Sequence, residues 1–204
     1  MSAWRKQQGS DRFFKKAQAE GYRARSAYKL IEIADRRGLL RPGHAVIDLG
    51  AAPGSWTQVA LDRVGPTGRV VAADISDMAP MGAATVLRLD ITTADCPEVL
   101  VAALGRPADA VLSDAAPSTT GIAIVDHSRS MALCRASLAV ALRALRPGGA
   151  FVAKAFRGED FDGFVAEVRH RFRRVEIEVP EATRAESREA FVVGIGFIGA
   201  AATP

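Results

Sequence analysis

From residue 44 onward, short apolar runs alternate with stretches whose apolar residues recur at helical spacing. His44–Leu49, Arg69–Ala73, Thr85–Leu89, Ala108–Ser113 and Ala150–Ala155 are short and almost continuously apolar, the pattern of strands buried on both faces. Ser55–Val64, Cys96–Leu104, Asp126–Leu145 and Asp160–Phe172 between them predict helices. Arg-Pro-Gly-Gly at 146–149 predicts the stop of the longest one. This βαβα rhythm predicts a mostly parallel sheet with helices on both faces. Two final β-rich runs, Arg174–Val179 and Glu189–Phe197, are joined by a short polar loop and predict an antiparallel pair. Upstream, Ser26–Arg37 predicts a helix with Ser26 as its cap, Ala27, Leu30, Ile31 and Ala34 as its buried stripe, and Gly38 as its stop. Asp11–Glu20 predicts a shorter, basic helix.

Acids recur where the strands end. Asp48, Asp74, Asp90 and Asp114 each lie at or just past the end of a predicted strand, where open α/β sheets bind ligands. Val46-Ile-Asp-Leu-Gly-Ala-Ala-Pro-Gly-Ser-Trp56 reads as strand, acid, Gly-x-x-x-Gly and helix. Gly50 and Gly54 permit a tight turn and a close approach to a ligand. A dinucleotide loop would read GxGxxG, to seat a pyrophosphate on the helix N-terminus. Here Ala51 and Ala52 fill the intervening positions and Pro53 stiffens the turn, so the expected ligand is a nucleoside without a pyrophosphate. Asp74 is placed for ribose hydroxyls and Asp90 for an adenine amine. Alone, the glycine pair would be a structural βα turn; the acids at the neighbouring strand ends favour a site.

The chain has 204 residues, 49% of them hydrophobic, enough for one domain with a sizeable core. No run approaches the ~20 apolar residues of a membrane span, and the polar N-terminus has no signal-peptide core. A cytoplasmic location is expected. Cys96 and Cys134 form no CxxC pattern and read as ordinary thiols. Of the net charge of +4, residues 1–43 carry +7, with eleven Lys/Arg against four acids, and the remainder carries −3. A basic helical arm on a slightly acidic core spanning 44–204 suggests a polyanionic partner. Alone, such a charge run equally fits a solvated helix.

Several segments together resemble one family. They are Arg25-Ser-Ala-Tyr-Lys-Leu30, Val46–Trp56, Ser113-Asp-Ala-Ala-Pro117 with Gly121 and Asp126, Leu145–Lys154, and Ser187-Arg-Glu189. In this order they resemble the FtsJ family of ribose 2′-O-methyltransferases over nearly the whole chain, most closely its bacterial members acting on the large ribosomal subunit. The resemblance implies an α/β, Rossmann-like class I methyltransferase fold, with a seven-stranded, mostly parallel sheet, one antiparallel strand and helices on both faces. It implies S-adenosyl-L-methionine as cofactor, contacted by Gly54, Trp56, Asp74, Asp90 and Asp114, with Asp48 and Gly50 in the loop. It implies the catalytic set Lys29, Asp114, Lys154 and Glu189, and a uridine of 23S ribosomal RNA in the large ribosomal subunit as substrate. Three positions depart from common family patterns: Val179 before Pro180 in place of Lys, Gly54-Ser-Trp56 in place of Gly-Gly-Trp, and Phe191 in place of Tyr.

Methyl transfer is an in-line displacement, and a ribose 2′-hydroxyl is a weak nucleophile that needs aiming and help with its proton. Lys154 is the candidate base. A free lysine, with pKa ~10.4, is a poor base at neutral pH, but burial and the second cation Lys29 would lower that value. Asp114 and Glu189 would orient the lysines. No metal is needed, and a monomer is expected. Taken singly, Lys154 would be a strand-end residue snorkelling to water, Lys29 a surface helix lysine, Glu189 an unremarkable strand start and Trp56 core packing; Glu186 would take the role of Glu189 if the register were shifted. In the basic arm, Trp4, Phe13, Phe14 and Tyr22 could stack on bases. Two further readings are a 2′-O-methyltransferase of transfer RNA or an mRNA cap, and a non-catalytic cofactor-binding ribosome assembly factor. An NAD-dependent oxidoreductase fails on the glycine spacing.

Overall fold

The computed structural model describes residues 12–118, 120–184 and 187–199. Trp4, Asp11 and Glu186 lie outside them. The chain forms α1 (Arg12–Ala19), α2 (Ala27–Arg37), β1 (Ala45–Leu49), α3 (Ser55–Val64), β2 (Arg69–Asp74), β3 (Thr85–Arg88), α4 (Cys96–Leu104), β4 (Ala108–Ser113), α5 (Ala123–Ala144), β5 (Leu145–Phe156), α6 (Phe161–Arg169), β6 (Phe172–Glu178) and β7 (Glu189–Phe197). The strands build one seven-stranded sheet in the order β3-β2-β1-β4-β5-β7-β6. All neighbours are parallel except β7, which runs antiparallel to both β5 and β6. This is the expected α/β methyltransferase architecture.

Alternating side chains divide the core between the two faces. Ile47, Leu49, Val111, Phe151 and Val192 pack under α4, α5 and α6. Val46, Leu112, Val152, Phe191 and Val193 pack under α2 and α3, with Leu30, Ile33 and Trp56. Helix α2 is buried on two sides: Ala27, Leu30, Ile33 and Ala34 meet the sheet, while Tyr28 meets Ala17 of α1 and Ala182. Ile31, expected in the buried stripe, sits half-buried between these clusters, and Ile33 takes the deeper place.

Some boundaries differ from expectation for local reasons. Helix α5 begins at Ala123, three residues before Asp126. The Asp126 carboxylate accepts from the amides of Thr120 (2.7 Å) and Gly121 (3.1 Å) and so organises the turn ahead of the helix. Arg146–Gly149 belongs to β5, whose Leu145 pairs with Ala108 across an irregularity in the register. Helix α6 ends at Arg169 because Phe172 opens β6 and stacks on Phe151 at 6.0 Å. Ser26 makes no capping bond to α2. Its hydroxyl instead meets that of Ser55 at 2.8 Å, tying α2 to α3. No helix among the described residues is long and apolar enough to cross a membrane.

Candidate active site

The ends of β1, β2, β3 and β4, together with Lys154 of β5, surround a cavity of about 930 Å³. The β1–α3 loop supplies Gly50, Ala52 and Pro53. Gly50 has φ +66°, and a Cβ there would stand 2.4 Å from the Ala115 backbone, so the loop can lie against the end of β4 only because residue 50 is glycine. Three carboxylates, Asp74, Asp90 and Asp114, line the cavity between apolar surfaces such as Ile75, Ile91 and Leu133. Asp90 accepts from the amide (2.9 Å) and hydroxyl (2.7 Å) of Thr92, which hold its carboxyl below the usual carboxylate range. An apolar slot edged with carboxylates suits a purine nucleoside bearing hydroxyls and positive charge. It repels a pyrophosphate.

Asp48, Gly54 and Trp56, which the family resemblance assigns to the cofactor and its loop, do not line this cavity. Asp48 is the penultimate residue of β1, and the strand's alternation turns it inward toward α3. It is fully buried, its Oδ2 accepts from the Thr57 hydroxyl at 2.6 Å, and its Oδ1 has no partner. Burial pushes its carboxyl up to about 7, aided by Asp114 and Asp74 and opposed by the Thr57 bond. Trp56 is 1% exposed; its ring packs on Phe191 at 5.7 Å and its Nε1 donates to the Ser26 carbonyl at 2.9 Å. Gly54, with φ +111°, faces Met81 and Arg23 behind the loop.

Of two lysine–carboxylate pairs on this side of the sheet, Lys154–Asp114 lines the cavity. Lys154 Nζ donates to the Asp114 carboxylate at 2.7 Å and to the Asp114 carbonyl at 2.6 Å. The buried Cys134 thiol, pushed up to about 12 by burial, donates to the Lys154 carbonyl at 3.1 Å and backs that strand. Lys29 Nζ donates to Glu189 Oε1 at 2.5 Å, and only 10% of each side chain is exposed. The β5–β7 register sets Lys154 opposite Phe191 and Phe156 opposite Glu189. Period-two alternation therefore puts Lys154, Phe191 and Glu189 on one face of the sheet. The Lys29 ammonium lies 5.8 Å from the centroid of the Phe191 ring, and Phe191 is the cross-strand partner of Lys154.

The FtsJ-like methyltransferase family matches residues 22–197, a span that includes all four of these charged residues. The chain belongs to that family. Among its curated relatives, the ribosomal RNA large subunit methyltransferase E of Chromohalobacter salexigens is 44% identical over 97% of this chain and 95% of its own. The protein of the same name from Azoarcus sp. is 47% identical over 95% of each. Among solved structures, a ribosomal RNA methyltransferase from Plasmodium falciparum superposes with a TM-score of 0.78 at 26% identity, covering 88% of this chain and all of that one. A structure from Clostridium thermocellum, TM-score 0.57 and 20% identical, shares the fold. This FtsJ-like chain is thus a methyltransferase, and its cavity has the chemistry a methyl donor of nucleoside type requires.

Several residues of the site escaped the sequence reading. Ser26 and Arg129 line the cavity, and Phe191 lies beside Lys29 and across from Lys154. Phe191 carries a signal as a departure from a family tyrosine, and Ser26 lies in the Arg25–Leu30 segment but reads there only as a helix cap. Arg129 is one charge among many on a helix, and no local pattern marks it.

Proposed function

We propose that this methyltransferase transfers a methyl group from S-adenosyl-L-methionine to the 2′-hydroxyl of a uridine in 23S ribosomal RNA of the large ribosomal subunit. The observation that carries the reading is the placement of the Lys154–Asp114 pair on the cavity wall, with the Lys29–Glu189 pair on the same sheet face. The names and coverage of the relatives support the choice of RNA.

The cavity residues fit the cofactor in kind. Asp74 would accept from ribose hydroxyls and Asp90 from the adenine amine, while Ile75, Ile91 and Leu133 would cover the purine. When bound, the cofactor supplies a methyl group on a sulfonium whose departure leaves a neutral thioether. Everything else falls to this chain. Asp114 fixes the Lys154 Nζ at the cavity wall, from where Lys154, in the neutral form reached by releasing its own proton to solvent, takes the proton of the attacking 2′-hydroxyl. Lys29, held by Glu189, presents a second cation that steadies negative charge on the hydroxyl oxygen. The basic arm, including Trp4, would hold RNA phosphates and stack on bases.

The test is to incubate the protein and methyl-labelled cofactor with large ribosomal subunits, free 23S RNA and transfer RNA from cells lacking the activity, then digest and identify the product. Label in 2′-O-methyluridine from the large subunit or its RNA supports the reading. Label on a base atom, or in transfer RNA alone, overturns it.

A further inference from the structure

Two loops that form adjoining walls of the cavity are tied together twice. On the cavity side, the Asp74 carboxylate accepts from the amide of Ala52 at 3.0 Å, in the β1–α3 loop, and from that of Ser76 at 2.7 Å, in the β2–β3 loop. On the outer side, the Arg23 guanidinium donates to the carbonyl of Pro53 at 2.9 Å, in the first loop. It also donates to the carbonyls of Ala79 and Pro80, both at 3.4 Å, in the second. An anion gathers amide protons on one side and a cation gathers carbonyl oxygens on the other. Each charge-assisted set is stronger than neutral pairs of the same geometry.

Arg23 is itself anchored. Its amide donates to Gln58 Oε1 at 2.8 Å, and Gln58 Nε2 donates back to the Gly21 carbonyl at 2.9 Å. The α1–α2 link is thereby docked on α3. Gly54 completes the arrangement: a Cβ there would come 2.4 Å from Met81 Sδ and 3.0 Å from Arg23 Nη1. The bare glycine lets the β1–α3 loop close onto the guanidinium.

We infer that Arg23 is a positioning residue for the cofactor, its guanidinium fixing from behind the spacing of the two loops that Asp74 joins from within. The inference rests on the S-adenosyl-L-methionine assignment. Arg23 stays on the outer side of the loops, so its effect runs through wall spacing rather than through contact. Three carbonyl oxygens converge on it, and without a cation their negative ends would drive the loops apart. Ser26, three residues on, lines the cavity, so the segment that carries the clamp also carries part of the wall.

The test compares wild type, Arg23→Gln, Arg23→Lys and Arg63→Gln. Arg63→Gln removes the Arg63–Asp35 surface ion pair, which touches neither loop. Binding of S-adenosylmethionine and of S-adenosylhomocysteine is measured by calorimetry, alongside kcat, KM and thermal midpoints. Arg23→Gln is expected to weaken both ligands by roughly five- to tenfold, the upper scale of one ordinary hydrogen bond, because the effect is indirect. KM for the cofactor should rise in step, while kcat at saturation falls far less. Arg23→Lys, which keeps the charge without the fork, should fall between, and Arg63→Gln should match wild type. Should Arg23→Gln fail to fold, Arg23→Lys decides. Unchanged affinity in the Arg23 variants, an equal loss in Arg63→Gln, or a fall in kcat with KM unchanged overturns the inference. Wild type that binds neither ligand removes the cofactor assignment itself.

Discussion

Lys29 and Glu189 are 160 residues apart in sequence and 2.5 Å apart in space. One comes from the second helix and the other from the first residue of the last strand, and both are largely withdrawn from water. A buried ion pair loses much of its Coulombic gain to desolvation, so it is weak grounds for claiming stability. Its position beside Phe191 and Lys154 gives a catalytic reason for its presence, and stability and activity should separate on mutation.

Breaking this pair should cost more than removing it. Glu189→Ala leaves the Lys29 ammonium buried without a partner, and we expect a loss of about 3 kcal/mol in unfolding free energy together with loss of methyl transfer. The double variant Lys29→Met/Glu189→Leu should regain most of that stability in urea melts and stay inactive. Recovery of activity in the double variant would remove both residues from the reaction.

Lys154→Ala should lower the single-turnover rate of methyl transfer by about 10²–10⁴, the range for loss of a positioned acid–base group. Cofactor affinity should change far less than the rate, because Asp74 and Asp90 on the cavity wall are untouched. A rate within a few-fold of wild type would exclude Lys154 as the proton acceptor.

Asp48 predicts a pH dependence of stability. Its folded-state carboxyl titrates near pH 7, against an ordinary 3.8. Between those values the unfolded chain has released the proton and the folded chain keeps it, so stability falls as pH rises through the window and is level above it. The loss is on the order of 4 kcal/mol at about 1.4 kcal/mol per tenfold change. Urea melts of wild type and Asp48→Asn from pH 4 to 8 should show wild type losing stability relative to the variant up to about pH 7. A constant gap would mean that Asp48 is ionised in the fold at no cost.

Trp56 separates core packing from cofactor contact. Trp56→Ala should cost about 3–5 kcal/mol, as for other buried large-to-small changes. Trp56→Phe keeps the packing on Phe191 and loses only the bond to the Ser26 carbonyl, so its cofactor affinity should stay near wild type. A large drop in affinity with an unchanged melting temperature would place the indole at the ligand instead.

Much of this was legible before any coordinates. The strands announced themselves because buried parallel strands are apolar on both faces, and the acids Asp74, Asp90 and Asp114 stood out because each ended such a run. All three line the cavity. Asp48 misled because one residue of register decides whether a side chain faces the strand end or the underlying helix. Trp56 is packed on Phe191 rather than on the cavity, and a motif position says nothing about which way an indole turns. The extent of β5 was hidden because Arg-Pro-Gly-Gly is a stop signal locally, and pairing of Leu145 with Ala108 overrides it. Arg23 was invisible because its partners are backbone carbonyls, which carry no sequence.

The position of β7 has a consequence for how the molecule comes into being. The last strand in the sequence is not at the rim; it slots between β5 and β6 and delivers Glu189 to Lys29. Until it arrives, β5 has an open edge and β6 has no neighbour, while the pockets built by β1 to β4 can already exist. The strand made last thus closes the sheet from within, between two strands made before it. A chain truncated before residue 189 would lose Phe191, Val192 and Val193 from the two core faces together with Glu189, so one strand serves both packing and the proposed site.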